Sequence, residues 1–282
     1  MKLLKDFNRV IEYIEENLEG EIDYEKIAAV IGYSVYHVQR LFAMVVGTPL
    51  AEYIRNRRLS KAATELQGGN DKVIDVAIKY GYSSPNSFNH AFKAFHGVAP
   101  SDVKKDGVLI KAYPPLSFEF SIKGAKAMDY RIEQKKAFRI VGVKLHTSMA
   151  NGECYQSTPA FWSDLMKDDG QNKIMALLNQ EPVGLLGVSN YSVDLSTGEF
   201  DYYIACATDR PVPDGMVEFI VPASTWAVFP CEGKSADAIQ KIEQHITMEW
   251  LPTSGYEFAK APDVEVYSES GLTEVWIPIL KG

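Results

Sequence analysis

Apolar residues recur at helical spacing through the first hundred residues and indicate a series of amphipathic helices. The first stripe includes Phe7, Val10, Ile11 and Ile14, which share one face of a helix over residues 4–18. Capping residues, glycines and prolines divide the chain that follows. Further helices are predicted over residues 24–31, 34–46, 50–66, 72–80 and 84–95. This part of the chain is therefore expected to be all-α.

From about residue 110 the pattern changes to short runs rich in β-branched and aromatic residues, which are typical of strands. Strands are predicted over residues 117–122, 130–144, 183–189, 199–208, 216–221, 225–232, 264–268 and 272–279. Helical stretches over 159–166, 173–178 and 235–250 interrupt them. The order predicts an α+β domain of two similar halves, with helices packed on one face of an antiparallel sheet.

Length and composition agree with two globular domains, since the chain has 282 residues with 46% hydrophobic and 23% charged side chains. The expected boundaries are 1–107 for the helical domain, 108–129 for a linker with the first strand region, and 130–282 for the α+β domain. No apolar run reaches membrane-spanning length, so a membrane is not an expected partner. Three isolated cysteines indicate a reducing, cytoplasmic location and give no metal-ligand spacing, so no cofactor is expected.

The net charge of −8 is unevenly distributed along the chain. Residues 1–106 carry as many basic as acidic side chains, so the whole deficit lies in residues 107–282. Within the first region eight of the fourteen basic residues fall on or beside a repeated motif; they are Arg40, Arg55, Arg57, Arg58, Lys61, Lys93, Lys104 and Lys105. A neutral domain with a basic face is compatible with binding to phosphates of DNA.

The repeated motif is an alanine, a glycine four positions later and then an apolar helical stretch. It begins at Ala28 and Gly32 and returns about 50 residues later at Ala77 and Gly81. A helix-turn-helix needs a small residue where its helices cross and a residue that tolerates positive φ in the turn. The repeat therefore predicts two helix-turn-helix motifs that read neighbouring segments of double-stranded DNA.

On the second helix of each motif, the residues opposite the apolar positions are expected to face the groove. In the first copy Gln39 suits adenine, Arg40 suits guanine or phosphate, and Tyr36 offers apolar contact to thymine. The second copy supplies Asn86, Ser87, Asn89 and His90, and the helix between the motifs adds Arg55. The alternative is a merely solvated helix surface, which two matched copies disfavour. Because the second set contains no permanent cation, the first copy is expected to contribute more affinity.

Residues 4 to about 106 resemble the DNA-binding domain of the AraC/XylS family. The resemblance is carried by Ile27-Ala28-x3-Gly32-Tyr33-Ser34, His37-Val38-Gln39-Arg40-Leu41-Phe42, Gly47-Thr48-Pro49, Tyr53-Ile54-Arg55-x-Arg57-Arg58-Leu59, and Val76-Ala77-x3-Gly81-Tyr82-x5-Phe88-x3-Phe92-Lys93. It implies that the residues named for the two recognition helices are base-contacting positions. It also implies a transcription regulator, with RNA polymerase as a candidate partner and with activation or repression left open.

The acidic second half interleaves aromatic residues with carboxylates near its end. In an extended strand Glu265 and Tyr267 share one face, as do Glu274 and Trp276. Carboxylates beside aromatic rings can hold a lipophilic cation through charge neutralisation and cation–π attraction. The alternative is that the rings belong to the core and the acids to solvated edges. Spacing by itself leaves both interpretations open.

Residues from about 130 to 280 resemble the GyrI-like effector-binding domain. The match rests on Arg139-Ile-Val-Gly142-Val, Trp162, Pro222-Ala-Ser-Thr-Trp226, Glu249-Trp250-Leu-Pro252, Val264-Glu265-Val-Tyr267 and Glu274-Val-Trp276-Ile-Pro278. It implies a pseudo-twofold fold with a central cleft for small, aromatic or cationic compounds. Glu265 is the first candidate for the pocket carboxylate and Glu274 the second, with Trp162, Tyr267 and Trp276 as walls.

These observations favour a DNA-binding transcription regulator whose C-terminal domain binds a small-molecule effector, rather than an enzyme. Two alternatives stay open. The cleft could hydrolyse a reactive small molecule with Glu265 as a base beside Tyr267, although no nucleophile–base pair is apparent. The second domain could instead bind only another protein.

Overall fold

A computed structural model describes residues 2–69, 71–105, 107–118, 127–191, 197–233, 235–268 and 271–281. The chain forms two compact units. The first unit comprises Met1–Val35 with Leu50–Ile122, and the second unit comprises Tyr36–Pro49 with Lys123–Gly282. Residues 36–49, which the sequence placed in the helical domain, therefore belong to the second unit.

The N-terminal region is helical, as predicted. Its helices are α1 (Lys2–Glu16), α2 (Tyr24–Ile31), α3 (Val35–Val46), α4 (Leu50–Gly68), α5 (Val73–Lys79) and α6 (Pro85–His96). Asp23 caps α2 by accepting from the backbone N–H groups of Glu25 and Lys26, and Ser84 caps α6 by accepting from that of Ser87. Over the described residues no single helix is both long and apolar enough to cross a membrane; α2 and α3 meet that test only when taken together.

In the first unit, the core around α4, α5 and α6 is built mainly from aliphatic and phenylalanine side chains. Leu59, Phe88 and Phe92 are fully buried within it. Two of the predicted basic residues support this fold instead of a DNA-facing surface. Arg57 is buried against the Glu15 carboxylate, and the Arg58 guanidinium donates to the backbone carbonyls of Leu18 and Gly20, in the turn that follows α1.

The second unit contains one antiparallel sheet. Its strands are β1 (Arg131–Lys135), β2 (Phe138–Ser148), β3 (Leu185–Asn190), β4 (Glu199–Ala207), β5 (Val217–Val221), β6 (Ser224–Cys231), β7 (Tyr256–Phe258), β8 (Asp263–Tyr267) and β9 (Thr273–Lys281). The helices α7 (Cys154–Lys167), α8 (Gly170–Met175), α9 (Ala236–His245) and α10 (Leu251–Ser254) accompany them, with a π-helical turn over Ile246–Trp250.

The strand order shows two similar halves, as the sequence predicted. The order is β1-β6-β9-β8-β3-β4-β2-β5, with β7 paired to β9. From the centre outwards, β3-β4-β2 in one half corresponds to β8-β9-β6 in the other. The helix α7 follows β2, and α9 follows β6 at the equivalent place. The outer strands are exchanged, because β1 pairs with β6 and β5 pairs with β2.

Side-chain alternation gives the sheet two distinct faces. One face carries an apolar cluster that includes Leu186, Val264 and Trp276. The other face carries a cluster that includes Ile204 and Cys206 and is covered by α7 and α8. Ala43 of α3 also belongs to this second cluster.

Two strand predictions need correction or lie partly outside the described residues, and one strand was not predicted. The single strand predicted over 130–144 is two strands, β1 and β2, which pair with different neighbours. The strand β7 was missed because three residues are too short a run to show alternation. Of the strand predicted over 117–122, residues 117 and 118 are not extended in a sheet, and 119–122 lie outside the described residues.

Candidate functional site

A pocket of about 700 Å³ lies in the second unit, on the sheet face covered by α7 and α8. Its walls come from α7, α8, α9, β3, β4 and β8. Trp162, Tyr191, Tyr202 and Tyr267 supply aromatic surface. This volume is within the range of small-molecule sites in proteins.

Glu265 is the hydrogen-bonded carboxylate of this pocket. Its Oε2 accepts from the Tyr267 hydroxyl at 2.5 Å and from the Tyr202 hydroxyl at 3.1 Å. The Tyr202 hydroxyl in turn accepts from the indole N–H of Trp162 at 2.9 Å. These two hydroxyl groups fix the orientation of the Glu265 carboxylate, because Tyr202 and Tyr267 both belong to strands of the sheet.

A glycine beside these hydrogen bonds leaves the space that the Glu265 carboxylate occupies. Gly187 of β3 lies opposite Glu265 of β8 in the sheet register. A Cβ added at Gly187 would lie 2.3 Å from the Tyr202 hydroxyl and 2.7 Å from Glu265 Oε2. Any larger residue at position 187 would therefore separate Tyr202 from Glu265.

Glu243 of α9 is a second carboxylate in the pocket. Burial raises the pKa of Glu243 well above its usual value, and the nearby Glu265 and Asp263 carboxylates raise it further, whereas Arg40 lowers it. Burial also raises the pKa of Glu265, although the hydrogen bonds from Tyr267 and Tyr202 oppose the shift. The pocket thus holds two interacting acids in a partly desolvated setting.

The predicted pocket residues divide according to their side of the sheet. Trp162, Glu265 and Tyr267 line the pocket. Glu274 and Trp276 do not, and their predicted place in the pocket is wrong. In β9 these two residues lie opposite Val266 and Val264, so they occupy the face away from Glu265.

On that other face Glu274 and Trp276 are structural. Glu274 forms an ion pair with Arg131 of β1 at 2.7 Å and accepts from the Trp276 indole N–H at 2.9 Å. Trp276 is buried in the apolar cluster, beside the ring of Trp226. The sequence predicted the pairing of acid and ring correctly but could not predict which face it occupies.

Several residues here were not predicted: Glu243, Tyr191 and Tyr202 line the pocket, and Asp263 lies beside it, opposite the lining residue Ser189. Some of the signal was present. Asp263 precedes Glu265 by two positions, so a strand places both on one face. Glu243 follows the buried Ile239 by one helical turn, which turns it inward. Tyr191 and Tyr202 belong to the aromatic residues that are interleaved with acids in this half of the sequence, but nothing local placed them in the pocket.

The pocket shows little sign of nucleophilic chemistry. Cys154 lines it, but burial raises the pKa of its thiol to about 11, so the reactive thiolate is scarce at neutral pH. Within the described part of the chain, no group of three His, Cys, Asp or Glu residues is arranged to hold a metal ion.

The second recognition helix, α6, presents the residues that the sequence predicted. Asn86, Ser87, Asn89 and His90 are all exposed. Ser87 also takes part in the N-terminal cap, since its backbone N–H donates to Ser84 Oγ at 3.1 Å. On α4 Arg55 is exposed as well, so this surface of the first unit is accessible to a ligand.

The first recognition helix, α3, differs from α6. Tyr36 and Gln39 are only half-buried, but Arg40 has no exposed surface. Its guanidinium Nη2 forms an ion pair with Asp263 Oδ2 of β8. The predicted contact of Arg40 with DNA is therefore incompatible with the arrangement in this structure, because the charged group is enclosed by protein.

Comparisons with known proteins agree with this two-part organisation. Residues 128–280 match the GyrI-like small molecule binding domain, and residues 27–106 match a helix-turn-helix domain. The HTH-type transcriptional activator AarP of Providencia stuartii is 46% identical over 94 residues, which are 33% of this chain and 70% of AarP. The multiple antibiotic resistance protein MarA of Escherichia coli K12 is 34% identical over 91 residues, 32% of this chain and 72% of MarA.

Among solved structures, SAV2435 bound to tetraphenylphosphonium aligns with 54% of this chain and 94% of its own length, at 21% identity and a TM-score of 0.49. The GyrI-like match covers more than half of the chain, and the chain belongs to that family. Its N-terminal region belongs to the AraC-type helix-turn-helix regulators. The protein is thus a DNA-binding regulator of the AraC type that carries a GyrI-like small-molecule binding domain.

Proposed function

We propose that the effector of this regulator is a small aromatic cation that binds beside Glu265 and Glu243 and alters DNA binding. The observation that carries this proposal is the charge of the pocket. Two carboxylates line it, whereas its described lining contains no lysine or arginine. A cation would supply the missing counter-charge.

The aromatic walls favour a cation with delocalised or shielded charge. Trp162 and Tyr267 meet edge to face, with ring centroids 5.1 Å apart beside the Glu265 carboxylate. Aromatic faces attract cations more strongly where water is excluded. A compact hydrated ion would leave this apolar surface unused, so the pocket favours a lipophilic organic cation.

Matched probes of opposite charge test the effector. Tetraphenylphosphonium and tetraphenylborate have nearly the same size and shape but opposite charges. Titration calorimetry with the full chain should show binding of the phosphonium only. Glu265→Gln should weaken it about tenfold or more, since one charge-assisted interaction is worth about 1.5–3 kcal/mol. Equal binding of the borate would contradict a cationic effector.

A control variant comes from the opposite face of the sheet. Glu274→Gln removes the same charge from a neighbouring strand but outside the pocket, and it should leave phosphonium affinity unchanged. Affinity should also decrease as the pH falls, because protonation neutralises the two carboxylates whose pKa values burial raises. Turnover of an aromatic cation that carries an ester bond would indicate a hydrolase instead. No binding by any charged or neutral aromatic probe would favour a protein-interaction domain.

For the DNA-binding surface, we propose that α6 contributes Asn86, Ser87, Asn89 and His90, and that α3 contributes Tyr36, Gln39 and Arg40 once its face is free. Arg55 of α4 would contact phosphate. We further propose that the protein is an activator, as the relative AarP is named, and that it acts with RNA polymerase in the cytoplasm. Footprinting at several salt concentrations would show whether one or two groove segments are protected, and the salt slope would count phosphate contacts.

A further inference from the structure

Arg40 occupies an environment that does not suit a residue that only reads DNA. Its side chain is fully buried, and Nη2 donates to Asp263 Oδ2. The guanidinium carbon lies 3.8 Å from the ring centroid of Phe258 and 4.8 Å from that of Tyr191. Burial alone would lower the pKa of Arg40, but the Asp263 carboxylate outweighs it and raises the pKa above the usual value. Arg40 is therefore a charged group held inside the second unit.

Other residues on the same face of α3 also contact the rest of the second unit. These contacts are Tyr36 with Lys260, His37 with Phe258, Ala43 with the cluster around Ile204, and Met44 with Thr247. These positions follow one another at three- and four-residue spacing, which is one stripe of a helix. Arg40 lies in the middle of this stripe, so its guanidinium cannot reach DNA while these contacts last.

The hydrogen bonding of this ion pair is incomplete. Arg40 Nε and Nη1 and Asp263 Oδ1 are buried without a hydrogen-bond partner among the described residues. Arg57 provides the contrast, because its Nε and Nη2 donate to both oxygens of Glu15 and its Nη1 donates to the carbonyl of Tyr113. Unpaired buried donors carry a desolvation cost that a fully bonded pair avoids. The Arg40 contact is thus better suited to opening than the Arg57 contact.

The ion pair also adjoins the effector pocket. Tyr191, whose ring contacts Arg40, lines the pocket, as does Ser189. In the sheet register Ser189 of β3 lies opposite Asp263 of β8. Both members of the pair act electrostatically on the pocket acid Glu243, in opposite directions. A charge placed in the pocket will therefore interact electrostatically with Arg40.

We propose that Arg40 and Asp263 form an autoinhibitory ion pair, which holds the DNA-reading face of α3 against the sheet of the second unit until a cation enters the pocket. This inference rests on the proposed function, because it takes Arg40 as a DNA contact and the effector as a cation. A cation beside Glu243 and Glu265 adds positive charge near the buried guanidinium and disfavours its docked position. By linkage, DNA binding tightens cation binding by the same factor.

The test uses the full chain and the tightest duplex that the wild-type protein selects from a random library. Without phosphonium, Asp263→Asn should bind this duplex about 5–150-fold more tightly than wild type, the usual range of such couplings. Added tetraphenylphosphonium should tighten wild-type binding and add little to the variant. Asp201→Asn is the matched control, since Asp201 pairs with Lys144 and His146 in the same sheet but contacts no residue of α3 in the described hydrogen bonds and ion pairs.

The outcomes separate this inference from the proposed function. If Asp263→Asn binds DNA no more tightly than wild type while phosphonium still binds, the ion pair does not inhibit and the effector proposal survives. If Arg40→Ala has no effect on DNA affinity in the Asp263→Asn background, Arg40 is not a DNA contact and that part of the proposed function fails.

A second measurement needs no substitution. The backbone N–H of Phe258 donates to His37 Nδ1 at 2.9 Å, so its hydrogen exchange reports whether α3 is docked. Saturating duplex should accelerate exchange at Phe258 but not at Ile204, a buried residue of β4. Unchanged protection of Phe258 in the DNA complex would overturn the proposal, whatever the stability of the variants.

Discussion

The two copies of the helix-turn-helix repeat share a residue pattern but differ in what surrounds their second helices. In both copies a glycine in the turn adopts a positive φ, 83° at Gly32 and 81° at Gly81. On α6 the predicted DNA-facing residues are exposed. On α3 the strongest of them, Arg40, is fully buried and paired with Asp263.

This difference shows that forming a recognition helix and leaving its DNA-facing side free are separate properties. The first depends on local residues such as the turn glycine and the cap. The second depends on what packs against the helix, and for α3 that is a part of the chain more than 200 residues away, since Arg40 and Asp263 are separated by 223 positions. The first copy has the side chains better suited to bind DNA, and its Arg40 is the one that is buried in this structure.

The largest effect is expected from breaking the buried ion pair of the first copy. Asp263→Asn should lower the free energy of unfolding of the second unit by up to about 3–5 kcal/mol, because the Arg40 charge must then either stay buried without its partner or leave its docked position. The double variant Arg40→Met, Asp263→Leu should restore most of this loss, because it removes both charges. Urea denaturation measures both values. A double variant as unstable as the single one would show that the charge pair is not the cause.

The next largest effect is the difference between the two helices on DNA. With Asp263→Asn as the background, Arg40→Ala should cost about 1–3 kcal/mol of affinity, the value of a good arginine–base pair. His90→Ala should cost less, because an imidazole offers two hydrogen-bonding nitrogens at most, whereas a guanidinium can donate two parallel hydrogen bonds to one base. Fluorescence anisotropy with the selected duplex gives both. A larger loss for His90→Ala would reverse the ranking of the copies.

The free energy of unfolding of the second unit should depend on pH through His37, which packs between α3 and β7. Burial first, and then the charge of Arg40, lower the pKa of His37 from 6.5 to about 3. The unfolded chain takes up this proton at about pH 6.5, whereas the folded protein does not until about pH 3. The stabilisation is therefore complete above pH 6.5 and is lost as the pH falls below it, by about 1.4 kcal/mol per pH unit.

Denaturation of wild type and His37→Gln at a series of pH values would measure this contribution. The difference in unfolding free energy between the two proteins should shrink as the pH falls from 6.5. A difference that stays constant with pH would mean that His37 is not the responsible group.

The smallest effect concerns the second copy alone. Ser84→Ala removes the N-cap of α6, whose hydroxyl oxygen accepts from the Ser87 backbone N–H at 3.1 Å, and should cost about 1 kcal/mol. Backbone amide exchange, measured by hydrogen–deuterium mass spectrometry, should become faster in α6 and not in α3. An equal increase in both helices would indicate that the copies are not independent.

Much of the helical region could be predicted from the sequence because its signals are local. Asp23 and Ser84 are N-caps, and Gly32 ends α2 in the left-handed conformation. These residues act within one turn of their own position, so a linear pattern contains the information. Helix α2 has the predicted bounds for this reason.

The pocket was predicted in part. Glu265 and Tyr267 share a strand face by simple alternation, and both line the pocket. Glu274 and Trp276 obey the same rule and yet lie on the opposite face, because the register of β9 against β8 decides the side. Register depends on strand pairing between distant segments, which alternation within one strand does not contain.

The sequence by itself determined the two helix-turn-helix motifs, the α+β second half and the residue types able to bind DNA or a cation. Only the tertiary structure decided that Glu243 joins Glu265, that Glu274 pairs with Arg131, and that Arg40 is enclosed beside Asp263. The physical reason is the distance along the chain over which each interaction acts. Helix periodicity, capping and turn glycines act between near neighbours, whereas burial and charge pairing depend on which remote segments fold against one another.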